Sequence, residues 1–442
     1  MDGKLRARHG TECREMTGDA ARAFLERRRR YDWSAEDSGK RLSDANPEAL
    51  RRAHDRYRLA HGRRAGSDLD LARQLSVTLD DNDDPGLSNA GALLLCEFEP
   101  EVEWIDVRVA VADGARSDVR GRLRAPLVTA FDAAWSIVDT AFPARSVLVG
   151  AQRRSIRALP EDALREAIVN AMMHRDYRMP LAPIVVSAIG SEPDTLKVIS
   201  PGGFPPSMDG TRLLAARSQP TNPALAEAMR ALGFAEREGT GIPTIFRSLL
   251  RDGHAPPEIY PEGGDVICRL PGGAVDPSVR AFFDGLYAKD GDLEYDVRVH
   301  VAISSLLTAT PLRTTSLVEL AQCSTGEAED SLRALVAAGA VERLLDGSRS
   351  YRLSPEARRA LAARVSYKQR TSLDAAWESI NAYLDVRPSI GRADAAELLG
   401  ISDQQSSRVL SRLLHEQGSL ELVGQARGRG VRYRRPRLPS SR

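Results

Sequence analysis

The stretch LPEDALREAIVNAMMHRDYR, residues 159–178, decides the reading of this chain. Its composition predicts a helix, with Pro160 pre-set for helical φ in the first turn and Glu161 and Asp162 complementing the helix dipole there. Between residues 163 and 173 the positions off one stripe are Ala, Leu, Ile, Val or Met, Arg165 excepted. A helix that is apolar around most of its circumference is normally buried. Yet Glu166, Asn170 and His174 recur every four residues along it. Four residues overshoot a full turn by about 40°, so the three share one slowly drifting face. Burying a carboxylate, an amide and an imidazole without partners is costly. The stripe therefore faces either a closed polar network or a wet pocket. In a pocket, a carboxylate can orient water and an amide oxygen can hold a metal ion. The closing HRDY has a plainer reading as well: an ion pair and a packed tyrosine that end the helix, with His174 a structural histidine.

Composition sets the outer bounds. The 442 residues suggest two to four domains, and 42% hydrophobic with 28% charged residues suits globular cores. A net charge of +1 points to no partner class by itself. Cys13, Cys96, Cys268 and Cys323 are far apart and form no C-x-x-C pair, which argues against a disulfide framework and a zinc site. No apolar run approaches a membrane span, and the N-terminus lacks the apolar core of a secretion signal. A cytoplasmic location is the expectation.

Outward from the opening helix, the chain divides by texture. Residues 1–65 are polar and arginine-rich, with TGDAARAFLERRRR and ANPEALRRAHDRYRLAHGRR both reading as helices. Residues 66–150 look α/β: DLDLARQLSVTL reads as a helix, WIDVRVAVAD as a strand and LRAPLVTAFDAAWSIVDTAF as an amphipathic helix. Residues 151–275 hold the opening helix, then strands in PIVVSAIGS and DTLKVISPGG joined by a turn at Glu192-Pro193-Asp194. NPALAEAMRALG follows as a short helix with Asn222 at the N-cap and Pro223 at N1, then REGTGIPTIFRSLLRDG as another, and DVICRLPGG as a last strand. The expected fold class is α+β multidomain, with a mixed sheet covered by helices.

Here the residues carry a resemblance. E-x-x-x-N on a buried helix resembles the N-box of the GHKL ATPases. EAIVNAMMHRDY, ISPGGFPP, NPALAEAM and REGTGIPTIF in order resemble the RecG-C-terminal-like branch, across roughly residues 85–272. That branch is usually found behind a Schlafen-type AlbA-like domain, whose last part RARHGTECREM and Trp33 resemble. The part where an acidic nuclease cluster would sit does not appear in this sequence, so nuclease activity is not expected. The resemblance implies a GHKL/Bergerat-like α/β sandwich that takes ATP and Mg²⁺. Glu166 would activate water and Asn170 would ligate Mg²⁺ between phosphates, with His174 next along the same wall. Gly239 and Gly241 would bring backbone N–H groups to the phosphates at a helix N-terminus. Arg217 and Asn222 lie in the segment corresponding to the nucleotide lid, and Gly202 and Gly203 would form the floor under the base. One departure stands out: where the family has D-x-G-x-G, Ser200 replaces the aspartate and Phe204 the second glycine. Serine can still accept a hydrogen bond, but adenine selectivity is weakened.

Beyond Gly273 the texture changes again. Residues 293–355 and 373–436 each read as three helices and a hairpin, with short turns CST and ISD between the second and third helices. That is the winged helix-turn-helix plan, giving units over 276–365 and 366–442. The two differ in charge. The first carries Glu327, Glu329 and Asp330 on its third helix, which suits packing or dimerisation. The second presents Gln404, Gln405, Ser407, Arg408 and Arg412, side chains suited to base edges and phosphates. Its wing and tail add Arg427, Arg429, Arg432 and Arg434, then Arg435, Arg437 and Arg442, with no acid between. The alternative is a solvated basic tail. Double-stranded DNA, a nucleotide and a second copy of the chain are the expected partners. Three functions fit: a nucleotide-sensing DNA-binding transcription regulator, a DNA-stimulated ATPase, or a scaffold that kept the fold and lost the ligand.

Overall fold

The computed structural model describes residues 6–9, 12–15, 31–98, 102–109, 119–142, 145–149, 152–179, 181–188, 195–204, 210, 212–215, 219–235, 239–308, 311–344, 349–361, 373–399, 401–423 and 431–436. It divides into two compact units, Met1–Val275 and Asp276–Arg442. The first arginine-rich helix expected before residue 31 lies outside the described residues.

In the first unit β1 (Arg6–His9) pairs with β2 (Glu12–Glu15), and β3 (Asp37–Arg41) with β4 (Gly86–Ser88). The main strands are β5 (Ile105–Val109) and β6 (Val119–Leu123), then, after the separate hairpin of β7 (Arg145–Val149) and β8 (Gln152–Ile156), β9 (Ile184–Ala188), β10 (Leu196–Pro201), β11 (Glu258–Glu262) and β12 (Asp265–Leu270). Six of them form one sheet in the order β11-β12-β10-β9-β5-β6. All its pairs are antiparallel except β5 with β9. β11 was not legible as a strand. It is set by Gly263 and Gly264, which both take positive φ in a two-residue turn and fold β11 back on β12.

One hydrophobic core runs from Leu42 to Leu270. The helix Pro47–His61 contributes Ala53 and Tyr57 to it, so this charged segment packs its apolar face inward. The helix expected over DLDLARQLSVTL stops at Gln74, because Ser76 turns to φ 56° and Val77 goes on to pair through its carbonyl with Ser88.

The opening stretch forms the helix Glu161–His174. Pro160 lies just outside it, as the cap residue, rather than in its first turn. Arg175 ends the helix and is fully buried. Its guanidinium donates to the carbonyls of Met179 and Ala182 at 2.7–3.1 Å and packs over the rings of Trp104 and Tyr177. Burial pulls its pKa down, so those carbonyls and rings are what make the charge tolerable. Tyr177 donates to the Met172 carbonyl at 2.8 Å, and Asp176 pairs with Arg178. Tyr177 thus packs as the plainer reading of HRDY has it, whereas the ion pair joins Asp176 to Arg178, just beyond that stretch, and Arg175 is held by carbonyls and rings.

The second unit repeats one order of elements. Helices Val297–Thr308, Thr314–Leu320 and Thr325–Ala337 accompany a sheet of β13 (Leu312–Arg313), β14 (Val341–Arg343) and β15 (Ser350–Leu353), in the order β13-β15-β14. Helices Leu373–Val386, Arg392–Leu399 and Asp403–His415 accompany β16 (Ile390–Gly391), β17 (Glu421–Val423) and β18 (Arg432–Arg434), in the order β16-β18-β17. The two-residue strands β13 and β16 are too short to show in the sequence. No helix among the described residues is long and apolar enough to cross a membrane.

Candidate functional site

The sheet and the stripe helix enclose a cleft. Its floor is one face of the sheet. Ser200 lies opposite Val266, Val198 opposite Cys268, and Cys268 opposite Ile259, and all five line the cleft. Period-2 alternation along three paired strands is what puts them on one face. The facing wall is the stripe: Glu166, Asn170 and His174 all line the same cleft. The cleft is partly open to solvent on one side.

The helix Gly241–Arg251 begins against the stripe. A Cβ added to Gly241 would lie 3.0 Å from both Asn170 Nδ2 and Glu166 Oε2, and 3.2 Å from Asn170 Oδ1. Only a glycine lets the helix N-terminus approach both polar groups this closely. Gly239, two residues earlier, takes φ 82° and has open space where a side chain would be. The start of this 11-residue helix thus borders the cleft with its positive dipole end. Gly202 is required on two counts: its φ is 99°, and a Cβ there would lie 2.8 Å from Asp176 Cβ. Gly203 is exposed at the cleft edge.

Three groups on the floor and wall have defined states. The Ser200 hydroxyl donates to the Ala171 carbonyl at 3.1 Å, which leaves its lone pairs as acceptors. Burial pushes the His174 imidazole down to about 4, so it is neutral at pH 7. Burial also pushes the Cys268 thiol up to about 12.

Asn222 departs from expectation. It occupies the cap position of the helix Pro223–Ala231 but makes no capping bond. Its amide instead donates to the Met173 and Arg175 carbonyls, both at 2.9 Å, at the end of the stripe helix. The cap is supplied from far away in sequence. Asp32 accepts from the Ala224 amide at 2.8 Å and Ser34 from the Leu225 amide at 3.2 Å. Asn222 therefore lies outside the cleft lining and ties two helices together. Arg217 lies outside the described residues. The sequence reading missed Arg230, which lines the cleft from the last turn of Pro223–Ala231.

For Mg²⁺ the fit rests on two oxygen donors, the Glu166 carboxylate and the Asn170 amide, which converge beside Gly241. No group of three or more His, Cys, Asp or Glu suited to a metal occurs among the described residues. Mg²⁺ characteristically takes one or two protein oxygens and completes its shell with water and substrate phosphates. The pair fits that habit, with a phosphorylated ligand present.

In the second unit, Gln404, Ser407, Arg408 and Arg412 are exposed on the helix Asp403–His415 and border a shallow concavity with Arg392. Arg412 pairs there with Glu416 at 2.9 Å, and other expected DNA-facing residues are also engaged within the domain. Gln405 accepts from Ser402, the cap residue, in a reciprocal capping box, whereas Asp403 pairs with Arg392 at 3.2 Å. Arg432 pairs with Asp394 at 2.9 Å and Arg434 with Glu421 at 2.6 Å. Arg427, Arg429, Arg437 and Arg442 lie outside the described residues. In the preceding repeat Glu327 pairs with Arg298, Glu329 with Arg349 and Asp330 with Arg333.

Residues 188–270 match the family described as "Putative ATP-dependent DNA helicase recG C-terminal". The match takes in Ser200, Gly202, Asn222, Gly239 and Gly241 but begins after the stripe helix. The crystal structure of the DIP2311 protein from Corynebacterium diphtheriae superposes with a TM-score of 0.65 at 25% identity, covering 81% of this chain and 71% of that one. No curated protein matches the chain. The family match supports a GHKL-like ATPase-type domain in the first unit, and the six-stranded mixed sheet with its helices is consistent with it.

Proposed function

We propose that the chain is a DNA-binding transcription regulator whose first unit senses a nucleotide. The observation that carries the nucleotide half is the convergence of Glu166, Asn170 and the Gly241 helix start in one cleft. ATP with Mg²⁺ is the ligand that chemistry suits best: a helix N-terminus for phosphates, two oxygens for the ion and an apolar sheet face for the base. Mg²⁺ would supply charge neutralisation between phosphates. Glu166 and Asn170 would orient it, His174 and Ser200 would border the base, and Gly202 and Gly203 would leave room beside it.

The DNA half rests on the repeated helix-and-hairpin order of the second unit, read as two winged helix-turn-helix units. Gln404, Ser407, Arg408 and Arg412 would face the duplex, with the Arg427 and Arg429 wing alongside. Two copies of the chain would read paired half-sites. Nucleotide binding would shift the population that holds DNA, and DNA would shift nucleotide affinity by the same factor. The N-terminal segment is read as the end of an AlbA-like domain. Titration calorimetry with ATP and Mg²⁺ tests the sensor: saturable binding by the native chain, lost in Asn170→Ala, is the expected result. Absence of binding to the native chain leaves the ligand-free scaffold standing instead.

One observation favours an ATPase as a second reading: the buried Glu166 carboxylate lies within the cleft, beside the helix start. Steady-state phosphate release decides. Release that persists unchanged in Glu166→Ala removes Glu166 as the base.

A further inference from the structure

The sheet that floors the cleft has a second face. The helices packed along the sheet, Leu127–Ala141 and the stripe helix, lie on the cleft side. The stripe helix walls the cleft, and Gly121 of β6 makes room for Ile137 in the row that holds Val107, Val186 and Val198. Period-2 alternation sends the intervening side chains of each strand to the other face. Solvent reaches that face: Arg108 and Arg120 are exposed, and Val185, Lys197, Ile199 and Tyr260 are half-buried.

Register aligns those side chains in two rows that cross the strands. In the first, Arg120 lies opposite Arg108, Arg108 opposite Ser187, Ser187 opposite Lys197, Lys197 opposite Arg269, and Arg269 opposite Glu258. In the second, two residues along each strand, Val185, Ile199, Ile267 and Tyr260 follow one another. The first row holds two cross-strand pairs of like charge, Arg108 with Arg120 and Lys197 with Arg269. Such pairs destabilise a sheet, so folding does not account for them. One member of each pair is relieved, Arg108 by Asp106 and Arg269 by Glu258 at 2.6 Å. Arg120 and Lys197 pair with no carboxylate among the described residues. The other strand carboxylates of this face, Glu262 and Asp265, lie beyond the apolar row, where β11 turns into β12.

The matching chemistry is a chain with anionic groups along one side and flat rings along the other. Strands lie about 4.8 Å apart, so Arg120 and Lys197, three strands apart, are separated by about 14 Å at the backbone. That span is too wide for one phosphate and calls for a polyanion running across the strands. The apolar row lies about 7 Å to one side of the cations, and Tyr260 ends it with a ring on which a base stacks. A duplex keeps its base faces stacked inside, whereas a single strand offers phosphates and rings together. We propose that this face binds single-stranded nucleic acid, with phosphates on Arg120 and Lys197 and bases on the row that ends in Tyr260. The site is independent of the duplex reading of the second unit. It shares β10 with the cleft, because Lys197 and Ile199 alternate there with Val198 and Ser200 of the cleft floor.

The test is fluorescence anisotropy of the full chain with labelled oligo(dT) and oligo(U) of about 15 nucleotides, and with a duplex, across a salt series. The native chain should bind single strands, and oligo(dT) against oligo(U) tells DNA from RNA as the source. Arg120→Glu with Lys197→Glu should weaken single strands by roughly tenfold or more. It should also flatten the slope of log K against log salt by about 1.4, about 0.7 for each phosphate, and change duplex affinity by less than about twofold. Tyr260→Ala should weaken single strands by about tenfold and leave the slope as it is, because stacking releases no counterions. Should melting show that the charge reversal unfolds the chain, Arg120→Gln with Lys197→Gln carries the same comparison. Absence of single-strand binding by the native chain overturns the proposal. So does single-strand affinity that the charge variant leaves unchanged, or equal weakening of single strand and duplex. A polyglutamate peptide that binds through Arg120 and Lys197 where oligo(dT) does not makes the occupant an acidic protein and overturns it too.

Discussion

The cleft of the first unit and the basic face of the second present their polar groups in opposite ways. In the cleft, Glu166 is 4% exposed and Ser200 5%. On the helix Asp403–His415, Gln404, Ser407, Arg408 and Arg412 stand in solvent, where nearby acids and salt compete for every charge. The cleft's polar groups are few and close, and shifting one by an ångström changes the site. The basic face has many weak contributors, and which of them count depends on which lack an internal partner. Arg412, Arg432 and Arg434 each have one: Glu416, Asp394 and Glu421. Burial concentrates function in single residues, and exposure spreads it.

The sharpest way to break that contrast is Gly241→Val. Its side chain would press on Asn170 and Glu166, already 3.0 Å from a bare Cβ. We expect ATP–Mg²⁺ affinity to fall about 100-fold or more, ~2.7 kcal/mol, in calorimetry, with DNA affinity in the absence of nucleotide unchanged. A change of less than threefold means the helix start does not form the site. On the other side, Arg408→Ala with Arg412→Ala should weaken duplex DNA by roughly 10-fold at moderate salt. The slope of log K against log salt should flatten by about 0.9 for each phosphate no longer neutralised. A steep slope unchanged by the double variant places the DNA surface elsewhere.

Smaller effects sharpen the contrast further. His174 has a folded pKa of about 4 against an ordinary value of 6.5. The unfolded chain therefore binds the extra proton between these values, so stability should fall as pH drops from about 6.5 to 4 and be flat above. In His174→Gln, thermal unfolding across that window should lose part of this dependence, an effect of a few degrees, and an unaltered pH profile shows that His174 is not held neutral by burial. Smallest of all is Arg432→Ala. Because Arg432 is already paired with Asp394 in partly exposed surroundings, DNA affinity should change by less than about threefold. Arg427→Ala with Arg429→Ala should exceed it, and a collapse caused by Arg432→Ala alone reverses the ranking.

How far the sequence carried each region follows from the range of the forces involved. Helical spacing is local. Once Glu161–His174 is a helix, Glu166, Asn170 and His174 must share a face, and the one-residue alternation of LKVISP fixes Val198 and Ser200 on one side of a strand. Glycines at 239 and 241 before an apolar run likewise marked a helix start. These needed no knowledge of distant residues. The strand β11 and the cap at Ser402 also depend on local chemistry, but on single turns too short to stand out.

Other features exist only because remote segments meet. That the stripe borders a cleft required the register of β10 with β12 and β12 with β11. Asn222 looked like a helix cap, yet Asp32 and Ser34, about 190 residues away, took that role and freed its amide for the stripe helix. Arg230 reads as an ordinary solvated arginine until the sheet and its helix are placed beside it. An arginine count in the last hairpin likewise says nothing of Asp394 and Glu421 waiting to pair. Periodicity is set by backbone geometry a few residues at a time, so the sequence determined it alone. Partnership between side chains is settled by which surfaces the folded chain brings within hydrogen-bonding reach, and only the tertiary structure decided that.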